Sequence, residues 1–139
     1  MKNPGEFMAS YKTSVYDRNV EAFIGLYTTD VHIFDMWGQW ELQGLETWRK
    51  VVCEWFGSLG SEPVVVDFID TRLTQSSDMA AMTTVVRFAG HSSEGKELRW
   101  MHNRMTTVLQ KAGGDWKVRH QHTSSPLDPQ TLKPNLQIK

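Results

Sequence analysis

Two patterns of apolar residues divide the chain, a helical period near its N terminus and a period of two after residue 64. Side chains three or four positions apart share one face of a helix. That spacing predicts two short helices, separated by a capping-type break at residues 17–19. Their apolar residues are Phe7, Met8, Tyr11 and Val15 in the first helix, and Val20, Phe23, Ile24 and Tyr27 in the second.

The segment between residues 31 and 60 predicts a strand, a tight turn and a long third helix. Residues 31–35 have the composition of a strand, Gly38 lies in a turn between two tryptophans, and a short second strand precedes Gly44. A broad apolar stripe follows, which is typical of a helix that covers a core. The stripe consists of Leu45, Trp48, Val52, Trp55, Phe56 and Leu59, and Gly57 and Gly60 end the helix.

The period of two predicts four strands, at residues 64–74, 79–89, 97–110 and 116–124. The breaks between them are short and rich in Gly, Ser and Asp, so neighbouring strands are antiparallel. We therefore predict one α+β domain over residues 1–139, in which three N-terminal helices pack on a curved, mainly antiparallel sheet and enclose an internal pocket. The C-terminal tail, residues 127–139, is expected to pack on its own sheet or on a neighbouring subunit.

Composition favours a small-molecule partner. The 139 residues carry a formal net charge of -1 and no run of Lys or Arg, whereas nucleic acids and anionic membranes require a concentrated basic face. The single cysteine, Cys53, cannot form an internal disulfide, and no export or membrane segment is recognisable. We therefore expect a cytoplasmic protein without a nucleic-acid or membrane partner, in which Cys53 is buried in the third helix.

Asp35 is the first candidate for chemistry. It ends an apolar strand and is followed by Met36 and Trp37, surroundings that desolvate a carboxylate and raise its pKa. Such a carboxylate can serve as a general base. Asp is also common at the start of turns, where it caps backbone groups, so both interpretations stay open.

Tyr11 and the tryptophans could line the pocket. Tyr11 lies on the apolar face of the first helix, and its buried hydroxyl needs a partner, which a ligand oxygen would supply. A purely structural place in the core is the alternative. The chain contains six tryptophans, whose flat amphipathic rings suit a ligand pocket or a subunit interface. Trp37 and Trp55 are the ones that we assign to the pocket.

Alternation along the last two strands sorts their polar side chains by face. In strand 97–110, His102 and Arg104 share one face and Asn103 lies on the other. In strand 116–124, one face is predicted to carry Trp116, Val118, His120 and His122. If the matching faces pair, these strands form one polar cluster that consists of His102, Arg104, His120 and His122. The alternation does not fix whether the cluster lies on the pocket side or on the outer side of the sheet.

The pair of His120 and His122 leaves three interpretations open. Two imidazoles on one side of a strand begin many zinc and iron sites, but a convincing third ligand is missing and Arg104 would oppose a cation. Acid–base catalysis is the second interpretation. We favour the third, a hydrogen-bonded network that braces the sheet or a dimer interface, and predict no metal. The chain contains no P-loop, dinucleotide-binding or G-x-S-x-G pattern, so no cofactor is expected.

The C-terminal sequence resembles a known superfamily. The stretches Arg104-Met-Thr-Thr-Val-Leu and Gly114-Asp-Trp-Lys-Val-Arg-His-Gln-His-Thr-Ser-Ser-Pro look most like the SnoaL-like branch of the nuclear-transport-factor-2-like, or cone-fold, superfamily. This branch includes the association domain of calcium/calmodulin-dependent kinase II, and Phe34-Asp-Met-Trp-Gly-Gln-Trp is similar to a group of its bacterial members. The resemblance covers nearly the whole chain and implies a cone fold, which hosts enzymes and binding modules alike.

Ketosteroid isomerases of the same superfamily offer the sharpest chemical comparison, since their site combines an Asp base with an oxyanion hole of Tyr and a protonated Asp. Aligning Leu26-Tyr-Thr-Thr-Asp-Val-His-Ile-Phe-Asp35 on their Tyr-x-x-Asp-x-x-x-x-Asp stretch implies that Asp35 is the base. Without a gap, the same alignment puts Tyr11 at the oxyanion tyrosine. The second acid falls near Arg104 or Met105, neither of which is an acid, and this departure argues against steroid isomerisation by the same mechanism.

Two functions therefore remain open. In the first, an isomerase, cyclase or lyase acts on a small apolar carbonyl compound, with Asp35 as base and Tyr11, helped by Asn103, as donor to the enolate oxygen. In the second, the protein is a non-catalytic ligand-binding or assembly module that forms a homodimer through its sheet. The candidate catalytic residues are Asp35 and Tyr11, and the candidate ligand-binding residues are Trp37, Trp55, Asn103, Arg104, His120 and His122.

Overall fold

The computed structural model describes residues 1–138, which form three helices and a six-stranded sheet after a short 3-10 helix at Pro4–Glu6. The helices are α1 (Phe7–Asp17), α2 (Val20–Ile24) and α3 (Leu45–Ser58). The strands are β1 (Tyr27–Phe34), β2 (Leu42–Gln43), β3 (Val64–Gln75), β4 (Met79–His91), β5 (Glu97–Ala112) and β6 (Asp115–Ser124). The predicted α+β fold class is confirmed.

The helices form where the apolar spacing predicts them. In α1 the buried side chains include Phe7, Tyr11 and Val15, which repeat every fourth residue and so share one face. Left-handed backbone at position 18 ends α1, and the side chain of Asn19 accepts the backbone N–H of Ala22 at 3.0 Å to cap α2. The predicted break at residues 17–19 is therefore a helix cap.

The sheet has the strand order β2-β1-β6-β5-β4-β3. The strands from β3 to β6 form the predicted antiparallel meander. The helices cover one face, which we call the inner face, while the opposite outer face carries half-buried and exposed side chains. The core lies between the helices and the inner face, as the amphipathic patterns require.

β1 begins at Tyr27 and not, as predicted, at Val31. The spacing of Tyr27 fits a helix, but this residue pairs with Val118 in the parallel contact between β1 and β6. Its hydroxyl donates a hydrogen bond of 2.7 Å to Oε1 of Gln121, 94 residues away. A partner so distant in sequence outweighs local helix spacing, because the buried polar group must be paired.

A β-bulge in β6 overturns the predicted face of the histidine pair. Two consecutive residues of β5 pair with His120 and Val118, so Arg119 is an extra residue. The bulge reverses the alternation beyond it. Gln121 then follows Val118 on the inner face, while His120 and His122 point to the outer face.

The C-terminal tail lies on the sheet of its own chain. The carbonyl of Leu136 accepts the N–H of His102 at 2.6 Å, and Nε2 of Gln137 donates to the carbonyl of Trp100 at 3.0 Å. The tail thus pairs with the edge of β5 over residues 100–102, where β6 no longer extends. Lys139, the last residue of the predicted tail, lies outside the described residues.

The prediction for Cys53 is wrong, since its side chain is exposed. The buried face of α3 consists of Trp48, Val52 and Phe56, which follow the four-residue repeat. Position 53 is one residue further along the helix, a rotation of about 100° away from that face. No disulfide partner exists for this thiol in the chain.

Candidate functional site

Asp35 follows β1 directly, at the rim of the sheet. Its Oδ1 accepts a hydrogen bond of 3.2 Å from the hydroxyl of Thr123, and that hydroxyl accepts the backbone N–H of Met36 at 2.9 Å. Burial raises the pKa of Asp35 above its usual value, while the bond from Thr123 and the nearby backbone N–H of Trp37 offset part of the rise. The geometry therefore supplies a carboxylate whose proton affinity is shifted toward neutral pH.

No Lys, Arg or His between residues 1 and 138 forms an ion pair with Asp35. A cation in contact would lower the pKa of this carboxyl and hold it as a structural anion. Its environment contains neutral donors instead, which is compatible with both the charged and the protonated state. Asp35 can thus change its protonation state without breaking an ion pair.

An open cleft of about 460 Å³ lies beside Asp35. This volume falls within the range of small-molecule sites. Tyr11, Trp55 and Asn103 do not line this cleft. The lining residues are Phe34, Asp35, Met36, Gly38, Gln39, Trp40, His122 and Thr123.

Tyr11 lies in an aromatic cluster beneath the helices and is 3% exposed. Its ring centroid is 5.6 Å from that of Phe7, 4.9 Å from that of Phe23 and 5.7 Å from that of Phe68. Burial and the negative charge of Asp35 raise the pKa of the Tyr11 hydroxyl far above its usual value. The hydroxyl consequently stays protonated at neutral pH.

The two tryptophans assigned to the pocket have different places. Trp55 is half-buried and packs against Phe23 and Phe88, with ring centroids 5.9 and 6.1 Å away. Trp37 is 58% exposed in the loop after β1, which corrects its assignment to the pocket. The neighbouring Trp40, which the sequence pattern does not single out, is a wall of the cleft.

Several inner-face polar atoms are buried without a partner among residues 1–138. Asn103 is 7% exposed and its Oδ1 accepts no hydrogen bond, and the same holds for Oγ1 of the fully buried Thr107. Unpaired buried polar atoms are rare in folded proteins, and a catalytic role is one of their explanations.

His120 and His122 belong to an aromatic cluster on the outer face with His32 and Phe34. His120 stacks on His32 with centroids 5.1 Å apart, and its Nδ1–H donates to the carbonyl of His32 at 2.8 Å. Phe34 contacts both His120 and His122 edge-on at 5.2 Å. Burial lowers the pKa of His120, so this ring favours the neutral form, and only His122 reaches the cleft.

The four basic residues predicted as one cluster share the outer face but are divided. Arg104 donates from Nε to the hydroxyl of Ser124 at 3.2 Å, and Nδ1 of His102 accepts the N–H of Ile138 in the tail at 3.2 Å. These two residues therefore hold the strand end and the tail, whereas the histidine pair packs on β1. A smaller cleft of about 130 Å³ lies between the tail and β5 and includes Arg104 and His102.

Residues 1–138 contain no group of three His, Cys, Asp or Glu side chains arranged to hold a metal ion. Across the same residues, no helix is both long enough and apolar enough to span a membrane.

Sequence reasoning missed Thr123, Met36 and Gln121. Strict alternation predicts Thr123 and Gln121 on the face opposite the tryptophan of β6, and the bulge turns them inward. Met36 carries no signal beyond its position next to Asp35, since methionine is ordinary in a core.

Comparison with protein families matches residues 5–128 to the SnoaL-like domain. The chain belongs to this family. The resemblance carried by the C-terminal stretches is thereby confirmed. A search of proteins with curated functions gave no match.

Solved structures share the SnoaL-like fold of this protein. An NTF2-like protein of unknown function from Pseudomonas putida KT2440 is 21% identical, with coverage of 97% and 92% of the two chains and a TM-score of 0.85. A proposed scytalone dehydratase from Novosphingobium aromaticivorans is 15% identical, with 88% and 81% coverage and a TM-score of 0.73. A proposed calcium/calmodulin-dependent protein kinase II association domain from Xanthomonas campestris is 18% identical, with 86% and 83% coverage and a TM-score of 0.68. At such low identities these likenesses show the fold alone.

Proposed function

We propose that this SnoaL-like protein binds a small apolar carbonyl compound beside Asp35 and acts on it as an isomerase, cyclase or lyase. The observation that carries the proposal is the Asp35 carboxyl itself, which is partly buried, lacks a cationic partner within residues 1–138 and forms a wall of an open cleft. A general base is most effective when its pKa lies near the working pH. Burial moves the pKa of Asp35 in that direction.

In the proposed reaction, Asp35 takes the acidic proton from the carbon next to the carbonyl. The electrons of the broken C–H bond form an enolate, whose oxygen needs hydrogen-bond donors. The candidate donors are the hydroxyl of Tyr11, which stays protonated, and the amide of Asn103. Neither residue lines the open cleft, so the proposal requires the enolate oxygen to enter beyond the present lining. The protonated Asp35 then returns the proton to another carbon in an isomerisation or cyclisation, or to a departing group in an elimination.

Hydrogen–deuterium exchange at carbon tests this function with simple ketones in place of the natural substrate. Cyclohexanone, cyclohexenone and tetralone are incubated with protein in deuterated buffer, and deuterium next to the carbonyl is measured by mass spectrometry. We expect exchange catalysed by the wild type to fall by about 100-fold or more in Asp35→Asn. The rate should rise with pH through the pKa of Asp35, since only the carboxylate accepts the proton.

Asp30→Asn is the matched control, because Asp30 lies on β1, the strand that leads to Asp35, but is exposed. Equal exchange in the wild type and Asp35→Asn, or no exchange above background with any of the ketones, would refute the catalytic proposal.

The second candidate function is a homodimeric binding or assembly module. It is favoured by apolar side chains left exposed on the sheet, such as Trp100 at 42% and Ile69 at 36%, and by the likeness to the association-domain protein.

Sedimentation velocity tests the dimer. Thr106 is exposed on the outer face of β5, which lies between β4 and β6. We expect the wild type to sediment as a dimer and Thr106→Arg to dissociate it. Thr13→Arg, on the exposed face of α1, is the control and should leave the dimer intact. A monomeric wild type at micromolar concentration would contradict the dimer.

A cytoplasmic location is part of the proposal. The exposed, unpaired thiol of Cys53 is compatible with a reducing compartment. Fractionation of the native host, followed by detection of the protein with an antibody, tests this location.

A further inference from the structure

Two hydrogen-bond donors converge on the sulfur of Met36. Nδ2 of Asn103 lies 3.5 Å from it, and the hydroxyl of Ser125 lies 3.9 Å from it. A thioether sulfur is a weak acceptor. These donors are therefore directed at a point where an oxygen atom would form stronger hydrogen bonds than the sulfur now present.

Asn103 shows the deficit most clearly. It is 7% exposed, and its second amide atom, Oδ1, is buried without a partner among residues 1–138. Reversing the amide would only exchange the two atoms, leaving Nδ2 unpaired and Oδ1 facing a sulfur that has no proton to donate. A buried amide with no good partner costs stability in either orientation, so packing alone does not explain its presence.

Met36 stands between these donors and the cleft. Its backbone N–H donates to Thr123, whose hydroxyl donates to Asp35, and Met36 is one of the residues that line the cleft. Methionine has three rotatable bonds and adapts to irregular space at low energetic cost. The side chain of Met36 can therefore move while its backbone keeps Asp35 in position.

We propose that the Met36 side chain is a displaceable plug, and that Asn103 and Ser125 form a subsite for the oxygen of a ligand once the plug has moved. This inference deepens the proposed function, because it rests on the same cleft. The ligand class is a compound whose carbonyl or hydroxyl oxygen lies a few bonds from the carbon that faces Asp35. Neutral donors held in a partly buried position suit an oxygen that gains negative charge.

Methionine methyl NMR tests the plug directly. The protein is labelled with ¹³C at its methionine methyl groups and uniformly with ¹⁵N, the Met36 methyl and Asn103 amide signals are assigned with Met36→Leu and Asn103→Ala, and cyclohexanone is added. We expect the Met36 methyl and the side-chain amide of Asn103 to shift together in a saturable titration. We expect Met36→Ala to bind the ketone more tightly, because no plug has to be displaced.

Ser125→Ala tests the oxygen subsite. Loss of one neutral hydrogen bond should weaken cyclohexanone binding by about fivefold. Ser124→Ala is the matched control, because the neighbouring serine bonds to Arg104 on the outer face and should leave binding unchanged. A Met36 methyl that does not respond, or equal affinities in Ser125→Ala and the wild type, would overturn the inference.

Asp35→Asn separates this inference from the proposed function. The variant should lose deuterium exchange but keep the Met36 response, since the subsite does not include the carboxyl. If the wild type binds the ketone but catalyses no exchange, the proposed reaction is refuted and the subsite stands. If it catalyses exchange while the Met36 methyl does not respond, the subsite is refuted and the reaction stands.

Discussion

Replacing Thr123 by valine tests the polar link that holds Asp35. Thr123 is 5% exposed, and its hydroxyl accepts the N–H of Met36 at 2.9 Å while it donates to Asp35 at 3.2 Å. Valine has nearly the same shape as threonine. The change therefore removes two hydrogen bonds and leaves the packing volume almost unaltered.

The expected loss of stability follows from those two bonds. An unpaired buried N–H costs about 1–3 kcal/mol, and a hydrogen bond to a charged group contributes about 1.5–3 kcal/mol. Because Asp35 and Met36 are only partly buried, we expect a total loss of about 2–4 kcal/mol at neutral pH. In the Asp35→Asn background the bond is between neutral groups, so the loss should be smaller by about 1 kcal/mol.

Urea unfolding of the wild type, both single variants and the double variant measures this coupling. Thr123→Ser keeps the hydroxyl and serves as one control, and Thr106→Val makes the same change at an exposed position of β5. A loss below about 0.5 kcal/mol in Thr123→Val, the size of an ordinary surface change, would refute the hydrogen-bond assignment. Equal losses in the two backgrounds would show that Thr123 does not sense the charge of Asp35.

Three further predictions concern other parts of the chain. Burial raises the folded pKa of Asp35 above its usual value of 3.8, so wild-type stability falls as pH rises from that value to the folded pKa. Asp35→Asn should therefore be more stable relative to the wild type above this pH window than below it. If unfolding curves measured across pH show a constant difference between the two proteins, the linkage is contradicted. Gln121→Leu removes the acceptor of the buried Tyr27 O–H and should cost about 1–3 kcal/mol in urea unfolding, much of which Tyr27→Phe should restore in the double variant. Trp40 is 97% exposed, so Trp40→Ser should change the unfolding free energy by less than about 0.5 kcal/mol, and a larger loss would mean that its ring packs against another molecule.

Local pattern was sufficient for the helices and most strands of this protein. The stripe that includes Trp48, Val52 and Phe56 predicted α3 because a periodic apolar face must be buried wherever the sheet lies. Short turn-rich breaks predicted the antiparallel meander, since such breaks are too short for a parallel crossover. The candidate base, Asp35, was also visible from its place at the end of an apolar strand.

Only the tertiary structure decided which way the decisive side chains face. One extra residue in β6, Arg119, turned Gln121 and Thr123 inward and His120 outward, and a bulge depends on pairing with β5 that no periodicity in β6 records. The parallel partner of β1 overruled the helical spacing of Tyr27 for the same reason. The sequence determined which segments become helix or strand, because that choice depends on neighbours along the chain. Register, burial and the proton affinity of Asp35 depend on neighbours in space, and folding alone brings those together.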